Sequence, residues 1–266
     1  MLVAKGHVLR AEMRFAVLGS GSEGNALVVQ GGQTRVLLDC GFSLSETVSR
    51  LARLGLQAGQ LDGIVVTHEH GDHISGVARL ARKFNLPVWL THGTLRTQNA
   101  AFAELAVTEI NPHLAFSIGD VQVQPYPVPH DAAEPVQYVF SDGLRRLGVL
   151  TDAGSATPHI EAILSGCHAL VLECNHDAQM LAAGDYPYSL KQRVGGRYGH
   201  LNNADAATLL RRLDRSRLQH VVAAHLSRKN NAAELAREAL SEVLSCEPDR
   251  VAVATQDLGL DWREIA

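Results

Sequence analysis

The first part of the chain alternates short aliphatic runs with glycine-rich turns. The runs FAVLGS, NALVVQ and TRVLLDC are separated by GSEG and GGQ. Runs of this kind, joined by tight turns, predict an antiparallel meander at the start of the fold. Because the pattern begins only near Arg14, we expect residues 1–13 to form a flexible leader.

Helical spacing of apolar residues appears next. In SETVSRLARLGL this spacing follows a serine that can cap a helix, and Gly55 marks the helix end. GIVVTH is predicted as a buried strand that runs into a histidine-rich loop, and HISGVARLARKFN as a helix that begins on that loop. VWLTH predicts a further strand, followed by a helical stretch from Thr94 to Leu105.

The second half returns to strands and then alternates the two element types. Strands are predicted for VQVQPYPVPH, VQYVF and RRLGVLTD, the last two joined by a hairpin across SDG at residues 141–143. Helix and strand then alternate through TPHIEAILSGC, HALVLECNHD, NADAATLLRRLDR, LQHVVAAH, AAELAREALSEVL and RVAVATQ. Residues 178–200 are the longest stretch predicted as irregular. This order predicts an α/β (α+β) domain over residues 14–266, in which two mixed β-sheets pack face to face with helices outside both.

Composition excludes several classes of protein. Of 266 residues, 46% are hydrophobic and 20% are charged, and no segment approaches the roughly 18 consecutive apolar residues of a membrane helix. The start of the chain lacks the apolar core of a secretory signal, so we expect a cytoplasmic protein. The four cysteines show no CxxC spacing and lie in apolar runs, which favours reduced, packed thiols.

Charge is distributed unevenly along the chain. The net charge is −4, but residues 189–229 contain nine Lys and Arg against two acids, a local net charge of +7. Such asymmetry can draw a polyanion to one edge of a protein, so it favours a nucleic-acid substrate. The sequence admits a homodimer without specifying the oligomeric state.

The most informative motif is THEHGDHISG at residues 67–76. His68 and His70 lie two positions apart at a strand end, where side chains at i and i+2 point the same way. Gly71 allows the chain to turn, and Asp72 and His73 then begin a helix and point at the same spot. Imidazoles and a carboxylate this close are ligands that divalent transition metals take, and two ions could share them if further ligands arrive from elsewhere.

Together with four further strand-end motifs, this stretch resembles the metallo-β-lactamase fold superfamily. The other motifs, in family order, are LLDCG with Asp39, PVPHD with His130, LTDAG with Asp152 and AAHLS with His225. The resemblance covers nearly all of residues 14–266 and implies a four-layer αβ/βα sandwich.

The resemblance also assigns roles to these residues. Asp39 is implied to hydrogen-bond within the site and so to orient the ligands. The implied ligands of a first metal ion are His68, His70 and His130. Those of a second ion are Asp72, His73 and His225. Asp152 is implied to bridge the pair.

Within the superfamily the chain is most similar to the YycJ/WalJ-type metallo-hydrolases, with ribonuclease Z and the small cyclic phosphodiesterases as more distant relatives. The phrases that carry this likeness are GSGSEGN, ECNHD, GHLNN and HLSRKNN. The likeness implies an exonuclease-like phosphodiesterase that acts on DNA or RNA with two divalent ions, for which Zn, Mn and Fe are all compatible. A water bridging two such ions loses its proton near neutral pH, and the resulting hydroxide can attack phosphorus in line with the leaving group.

Further roles follow from this chemistry. Asp72 and Asp152 are expected to orient the attacking water or to accept its proton. His200 and His176 are candidate acids for the leaving group, or phosphate-binding groups. Substrate contacts are predicted for Ser20, Ser22, Asn25, Lys191, Arg193, Arg197 and Asn203. The glycine-rich loop that holds the first three is favoured as a hairpin over a phosphate cradle, because no helix follows it.

Three other functions stay open on the sequence. Hydrolysis of a thioester, lactone or β-lactam fits the same ligand set, although the missing secretion signal argues against antibiotic resistance. A redox diiron protein is disfavoured, because that branch typically has glutamate where His70 stands. The last alternative is a metal-dependent binding module, since a ligand set does not by itself demonstrate turnover.

Overall fold

The computed structural model describes residues 13–266. Of the predicted leader, residues 1–12 lie outside the described residues, and Met13 is the first residue of the first strand. The strands are β1 (Met13–Gly19), β2 (Ala26–Gly31), β3 (Thr34–Leu38), β4 (Gly63–Val65), β5 (Val88–Thr91), β6 (Val107–Ile110), β7 (Phe116–Ile118), β8 (Val121–Pro127), β9 (Val136–Ser141), β10 (Arg146–Leu150), β11 (Ala169–Glu173), β12 (His220–Ala224), β13 (Ala252–Val253) and β14 (Leu260–Ile265). The α-helices are α1 (Leu44–Arg53), α2 (Gly71–Ile74), α3 (Val77–Phe84), α4 (His92–Phe102), α5 (Pro158–Leu164), α6 (Ala178–Ala183), α7 (Tyr188–Val194), α8 (Asn203–Arg212) and α9 (Ala233–Leu244). From residue 13 onward, no helix has both the length and the hydropathy that a membrane crossing requires.

The strands form two seven-stranded sheets. The first has the strand order β14-β1-β2-β3-β4-β5-β6, and the second has the order β13-β12-β11-β10-β9-β8-β7. β1, β2 and β3 pair antiparallel, which confirms the predicted meander, and β3 to β6 pair parallel. In the second sheet β9 and β10 form the predicted hairpin, and β10 to β13 run parallel. Both sheets are therefore mixed, as predicted.

Alternating side chains create three hydrophobic cores. In β11, Ala169 and Val171 belong to the core between the two sheets, whereas Leu170 and Leu172 pack with residues of α5, α8 and α9. A third cluster joins the first sheet to α1, α3 and α4. Strands that are buried on both faces have apolar residues at successive positions, because neighbours point to opposite sides. The result is the predicted four-layer sandwich, with one helical layer outside each sheet.

The parallel strands bring their carboxyl ends to one edge of the sandwich. The residues found at or just after those ends are Asp39, His68, Asp152, Glu173 and His225. Ligand sites of α/β sheets lie at such ends. Asp39, Asp152 and His225 also have left-handed backbone φ angles of 58°, 52° and 56°. Since a positive φ is uncommon for residues other than glycine and is held in place by the surrounding structure, these turns are fixed features of the edge.

Two predicted elements differ from the structure. The helix predicted for HISGVARLARKFN is divided into α2 and α3 at Gly76, whose backbone N–H donates to the carbonyl oxygen of Cys40 at 2.8 Å and not to a carbonyl of the helix. Residues 178–200, predicted as irregular, contain α6 and α7. Glycine or proline residues flank these short helices, and in the sequence pattern they indicate irregular structure. The pattern also missed β6, β7 and β14, in which several residues are exposed to solvent.

Candidate metal centre

The loop after β4 directs its histidines and its aspartate towards one point. His68 is buried, and its Nδ1 lies 2.9 Å from Thr67 Oγ1, which donates to Asp39 Oδ2 at 2.8 Å. This leaves Nε2 of His68 to face the interior of the loop. α2 begins at Gly71 and turns the chain back, so that Asp72 and His73 reach the same point, as the sequence predicts.

A first group of potential ligand atoms comes from His68, His70 and His130, all within 4.8 Å of one another. His70 Nδ1 and His130 Nε2 face each other at 3.2 Å. His130 Nδ1 donates to the carbonyl oxygen of Gly199 at 3.1 Å, which fixes the orientation of the ring. Three imidazole nitrogens therefore converge on one small volume, as in three-histidine zinc sites.

A second group, with the same spacing, comes from Asp72, His73 and His225. Asp72 Oδ2 lies 3.5 Å from the Nε2 atom of each histidine. His73 Nδ1 donates to Asp39 Oδ2 at 2.8 Å. His225 Nδ1 donates to Glu173 Oε1 at 3.1 Å. A carboxylate on the far nitrogen fixes the ring and makes the near nitrogen a stronger metal ligand.

Asp152 lies between the two groups. Its Oδ2 is 3.1 Å from His73 Nε2, and its Oδ1 is 3.8 Å from His130 Nε2 and 3.7 Å from His225 Nε2. One carboxylate therefore contacts histidines of both groups. From this position Asp152 could help to hold an ion at either group, which supports the role that the family resemblance implies for it.

The donor atoms of this centre fit divalent cations. In the part of the chain that the structure describes, His68 Nε2, Asp152 Oδ2 and His225 Nε2 are buried and lack a partner in hydrogen-bond geometry. Buried polar atoms left unpaired are unfavourable, and a bound cation would satisfy all three. Imidazole nitrogen and carboxylate oxygen are ligands for divalent transition metals. The cluster is thus suited to divalent metal ions.

The protonation of the histidines differs between the two groups. Burial lowers the pKa of His68 and of His130, and the nearby charge of Asp152 only partly offsets this. Burial also opposes a charge on His225, but the carboxylates, led by Asp152, outweigh it and raise the pKa of His225 to about 10. The same balance raises the pKa of His73 well above its ordinary value. The first group thus includes neutral imidazoles, whereas the second holds protons that a cation must displace.

Glu173 is a part of this centre that the sequence analysis missed. Its carboxylate is fully buried, and Oε1 accepts from His200 Nδ1 at 2.8 Å as well as from His225. Oε2 accepts from the backbone N–H groups of Ala153 and Leu201 at 3.0 and 3.1 Å. Burial favours the neutral acid, but the histidines outweigh it and lower the pKa of Glu173 to about 2. A single acid at the end of the apolar run ALVLE was the available signal, because a buried carboxylate needs partners.

The two histidines predicted as acids have different surroundings. His200 lines the cavity over the centre, and its Nδ1 is 3.6 Å from Asp152 Oδ1. Although burial opposes it, Glu173 raises the pKa of His200, which favours a role as proton donor. His176 is 2% exposed, does not line that cavity, and has Nδ1 3.3 Å from Asn175 Oδ1. This placement favours a structural role for His176, contrary to the expectation of an acid.

The glycine-rich turn GSGSEGN connects β1 and β2, as the hairpin interpretation predicts. Ser22 lines the cavity. Ser20 and Asn25 do not: Ser20 Oγ accepts from the backbone N–H of His225 at 2.8 Å, and Asn25 Nδ2 donates to the carbonyl oxygen and to Oδ2 of Asp72 at 3.3 Å. Both side chains are buried and hold ligand segments in place. The expected substrate contact is therefore retained for Ser22 and is not supported for the other two.

Most of the other predicted substrate contacts also lie away from the cavity. Arg193 lines it, with Nε donating to Asp131 Oδ2 at 2.6 Å. Lys191 Nζ donates to the carbonyl oxygen of Ala182 at 2.6 Å, and the side chain lines a separate groove between α6 and α7. Arg197 is exposed and does not line the cavity. Asn203 is buried, and its amide exchanges two hydrogen bonds of 2.9 Å with that of Asn231.

The basic segment 189–229 is not one continuous patch. Arg228 is paired with Glu23, which belongs to the glycine-rich turn, and with Asp257. Arg212 is paired with Glu161 at the carboxyl end of α8. Neither residue of this pair lines the cavity over the centre. The sequence therefore overstated the positive charge at the centre.

A cavity of 360 Å³ lies directly over the metal centre. Its polar lining includes His70, Asp72, His130, Asp152 and His225, and the rest includes Tyr186, Leu190 and Val194. The volume falls near the lower end of the range of about 300 to 1,000 Å³ that is usual for small-molecule sites. The cavity therefore suits a group of the size of one nucleotide better than a duplex.

Comparison with known proteins relates this chain to one protein family. Residues 34–226, which include both ligand groups, match the family model described as beta-lactamase superfamily domain. The chain is 39% identical over 238 residues to exodeoxyribonuclease YycJ of Bacillus anthracis, covering 87% of this chain and 89% of that protein. It is 30% identical over 255 residues to exodeoxyribonuclease WalJ of Streptococcus pneumoniae serotype 2 (strain D39 / NCTC 7466), covering 94% and 92%.

A solved structure shows the same fold at lower identity. The metallo-β-lactamase fold protein YhfI of Bacillus subtilis aligns with a TM-score of 0.75 and 18% identity, over 96% of this chain and 99% of that chain. At this identity the likeness concerns the arrangement of sheets and helices alone. It confirms the predicted four-layer architecture.

Proposed function

The chain belongs to the beta-lactamase superfamily domain family as a metallo-β-lactamase fold protein of the YycJ/WalJ type, and on this basis we propose that it is a metal-dependent exonuclease that hydrolyses the phosphodiester bonds of DNA. The relatives named exodeoxyribonuclease align over most of their length, which supports DNA as the first substrate to test. RNA is the nearest alternative, because the chemistry of the bond is the same.

The observation that carries the proposal is the convergence of two ligand groups that share Asp152 beneath one cavity. We assign one divalent ion to His68, His70 and His130, and a second to Asp72, His73 and His225. When bound, a pair of divalent ions neutralises charge on a phosphodiester and lowers the pKa of a water between them. Zn, Mn and Fe all suit this ligand set.

The protein supplies orientation and protons around these ions. Asp39 and Glu173 hold His73 and His225 by their Nδ1 atoms, so that each Nε2 keeps its direction. Asp72 and Asp152 offer carboxylate oxygens that can orient a water or accept its proton. The two acids have their pKa lowered against the effect of burial, by His73 and by His225 respectively, and so are ionised at neutral pH.

His200 is the proposed acid for the leaving oxygen. Its Nδ1 is hydrogen-bonded to Glu173, and although burial opposes it, this carboxylate raises the pKa of His200, which favours the doubly protonated ring. With Nδ1 engaged, Nε2 is the nitrogen that can donate to a substrate in the cavity. Proton transfer by a positioned imidazole typically contributes about 10²- to 10⁴-fold to a rate.

The size of the cavity supports attack at chain ends. A pocket of 360 Å³ can enclose one terminal nucleotide, but it cannot enclose a stretch of duplex. A substrate that enters by its end would be shortened one residue at a time. We therefore favour exonucleolytic over internal cleavage.

The second candidate function is hydrolysis of a thioester or lactone. Leu190 and Val194, which line the same cavity, are the observation in its favour, because they could pack against an acyl chain. The ligand groups suit attack on a carbonyl carbon as well as on phosphorus.

A substrate panel separates these functions. Purified protein with added Mn or Zn is incubated with 5′- and 3′-labelled single- and double-stranded DNA and RNA, and separately with lactone and thioester substrates. We expect stepwise shortening of labelled DNA. Robust lactone or thioester cleavage, without any shortening of nucleic acid, would overturn the proposal.

A further inference from the structure

The cavity over the metal centre has an apolar part that the proposed chemistry does not use. Tyr186, Leu190 and Val194 line it, at spacings of four residues along the chain. Leu190 and Val194 belong to α7, where residues four apart lie on the same face of a helix. A phosphodiester needs charged groups and hydrogen-bond donors. Leu190 and Val194 provide neither, and Tyr186 provides only its hydroxyl group beside an apolar ring. They form a surface for an uncharged, flat or apolar group.

This surface is held firmly against the metal centre. Arg193 of α7 is paired with Asp131, the residue after His130. The backbone N–H of Asp131 also donates to the carbonyl oxygen of Tyr198 at 3.0 Å. Gly154, two residues after Asp152, packs so closely on the loop after α7 that a Cβ would collide with the backbone there. Since α7, which carries Leu190 and Val194, is tied to the ligand segments, the distance between this helix and the ligands is set before substrate binds.

Lys229 adds a positive charge beside Tyr186. Its Nζ lies over the Tyr186 ring, 5.7 Å from the ring centroid, within the range of a cation–π contact. Lys229 is exposed, and none of the residues from 13 to 266 places a carboxylate within ion-pair distance of it. By contrast, Arg193 and Arg228 are both paired with acids. Lys229 does not itself line the cavity, so the phosphate that it is placed to bind is one beside the cavity, next to the nucleotide within it.

We propose that Tyr186 and Lys229 form a nucleotide subsite in which the base of the terminal nucleotide stacks on Tyr186 and a neighbouring phosphate contacts Lys229. The inference rests on the proposed function, since it places the scissile phosphodiester at the metal centre. A nucleotide then carries its base to the apolar side of the same cavity, where an aromatic ring is available. Stacking accepts all four bases, because each has a π-face, so the subsite favours removal of nucleotides regardless of sequence.

The first test compares two substrates that differ only at the terminal base. One labelled DNA strand ends in a normal nucleotide, and the other ends in an abasic residue at the same position. Tyr186→Ala should raise KM for the normal strand roughly tenfold, as expected for the loss of one stacked base, and should leave the abasic strand within about twofold of wild type. Tyr186→Phe, which keeps the ring, should behave like wild type. Tyr198→Ala is the matched control, because Tyr198 is exposed and does not line the cavity.

The role of Lys229 has its own readout. Lys229→Gln should weaken binding of the normal strand and reduce the slope of log affinity against log salt by about one, as for one lost phosphate contact. Arg212→Gln removes an exposed charge remote from the cavity and should leave the slope unchanged.

Equilibrium binding keeps the inference separate from the proposed function. Calorimetry measures the Kd of thymidine 5′-monophosphate and of 2-deoxyribose 5-phosphate for the metal-loaded protein, without any requirement for nuclease activity. Tighter binding of the nucleotide, lost in Tyr186→Ala and kept in Tyr186→Phe, supports the subsite even if DNA is not cleaved. Equal affinity for the two ligands, or equal loss for both in Tyr186→Ala, would overturn it.

Discussion

Glu173 Oε1 accepts hydrogen bonds from both His200 Nδ1 and His225 Nδ1, so one buried carboxylate orients a proposed metal ligand and the proposed acid together. Both rings depend on this oxygen, because Oε2 is already occupied by two backbone N–H groups. The carboxylate thus couples metal binding to proton donation.

Substitution of Glu173 by Gln should weaken both functions. The amide oxygen can replace only one of the two carboxylate oxygens, and the amide NH2 group would face the two N–H donors that the other oxygen now satisfies. We expect metal affinity to fall by about 10- to 100-fold, as for other residues that orient ligands, together with a lower kcat. Calorimetric metal titration and nuclease assays measure the two effects. Glu161→Gln, which removes a surface ion pair with Arg212, is the matched control, and equal effects in the two variants would refute the orienting role.

Loss of single ligands should distinguish the two ions. His70→Ala should reduce bound metal by about one equivalent, whereas Asp152→Ala should weaken both ions, because Asp152 contacts histidines of both groups. Nuclease activity should disappear in both variants. Elemental analysis after dialysis measures the metal content. His113→Ala, at an exposed histidine, should retain full metal and activity, and normal metal content in Asp152→Ala would contradict the bridging assignment.

Metal binding should release protons, and mainly from the second group. The pKa of His225 is raised to about 10, so a cation must displace a proton from this ring near neutral pH. Affinity should therefore rise with increasing pH until the pH passes that pKa, and fall as the solution is acidified. His68 and His130, whose pKa values are lowered, should contribute little to this dependence. Calorimetry in buffers of different ionisation enthalpy counts the protons, and pH-independent binding of both ions would contradict the assignment.

Substitutions of two arginines in the basic segment should differ in their effect on DNA binding. Arg193→Ala removes a cation that lines the cavity and frees Asp131, so it should weaken DNA binding and reduce its salt dependence. Arg212→Ala also breaks an exposed ion pair, but outside the cavity, and should leave both quantities unchanged. Fluorescence anisotropy with labelled DNA at several salt concentrations makes the comparison. Equal losses would mean that DNA contacts a far larger surface than the cavity rim.

Gly154 should tolerate no side chain. A Cβ there would collide with the backbone of Arg197 and Gly199, and Gly199 orients His130. Overpacking of this kind costs about 1–3 kcal/mol, so Gly154→Ala should lower Tm by roughly 5 °C and also reduce activity. Gly59→Ala is the control, since its Cβ would meet only Phe84, at an ordinary 3.8 Å. Thermal unfolding with both variants tests this, and an unchanged Tm for Gly154→Ala would show that the loop can move.

Local sequence patterns determined most of the fold and the ligand set. The meander, the hairpin between β9 and β10, and the buried parallel strands follow from residue alternation and turn residues, which act over a few positions. The spacing of His68, His70, Asp72 and His73 likewise shows a shared direction without any tertiary information. Family resemblance then supplied the distant ligands His130, Asp152 and His225, which no local pattern connects.

Only the tertiary structure decided which other polar residues belong to the centre. Glu173 reads in sequence as the last residue of a core strand, and its partners His200 and His225 are 27 and 52 positions away. Ser20 and Asn25 are polar residues of a glycine-rich loop, and for that reason they were predicted to contact substrate. In the structure both are buried and hydrogen-bonded to His225 and Asp72. Burial and hydrogen-bond partners depend on contacts between chain-distant segments, and residue type and spacing do not encode these. For the same reason the net charge of a segment could not show where its arginines lie around the cavity.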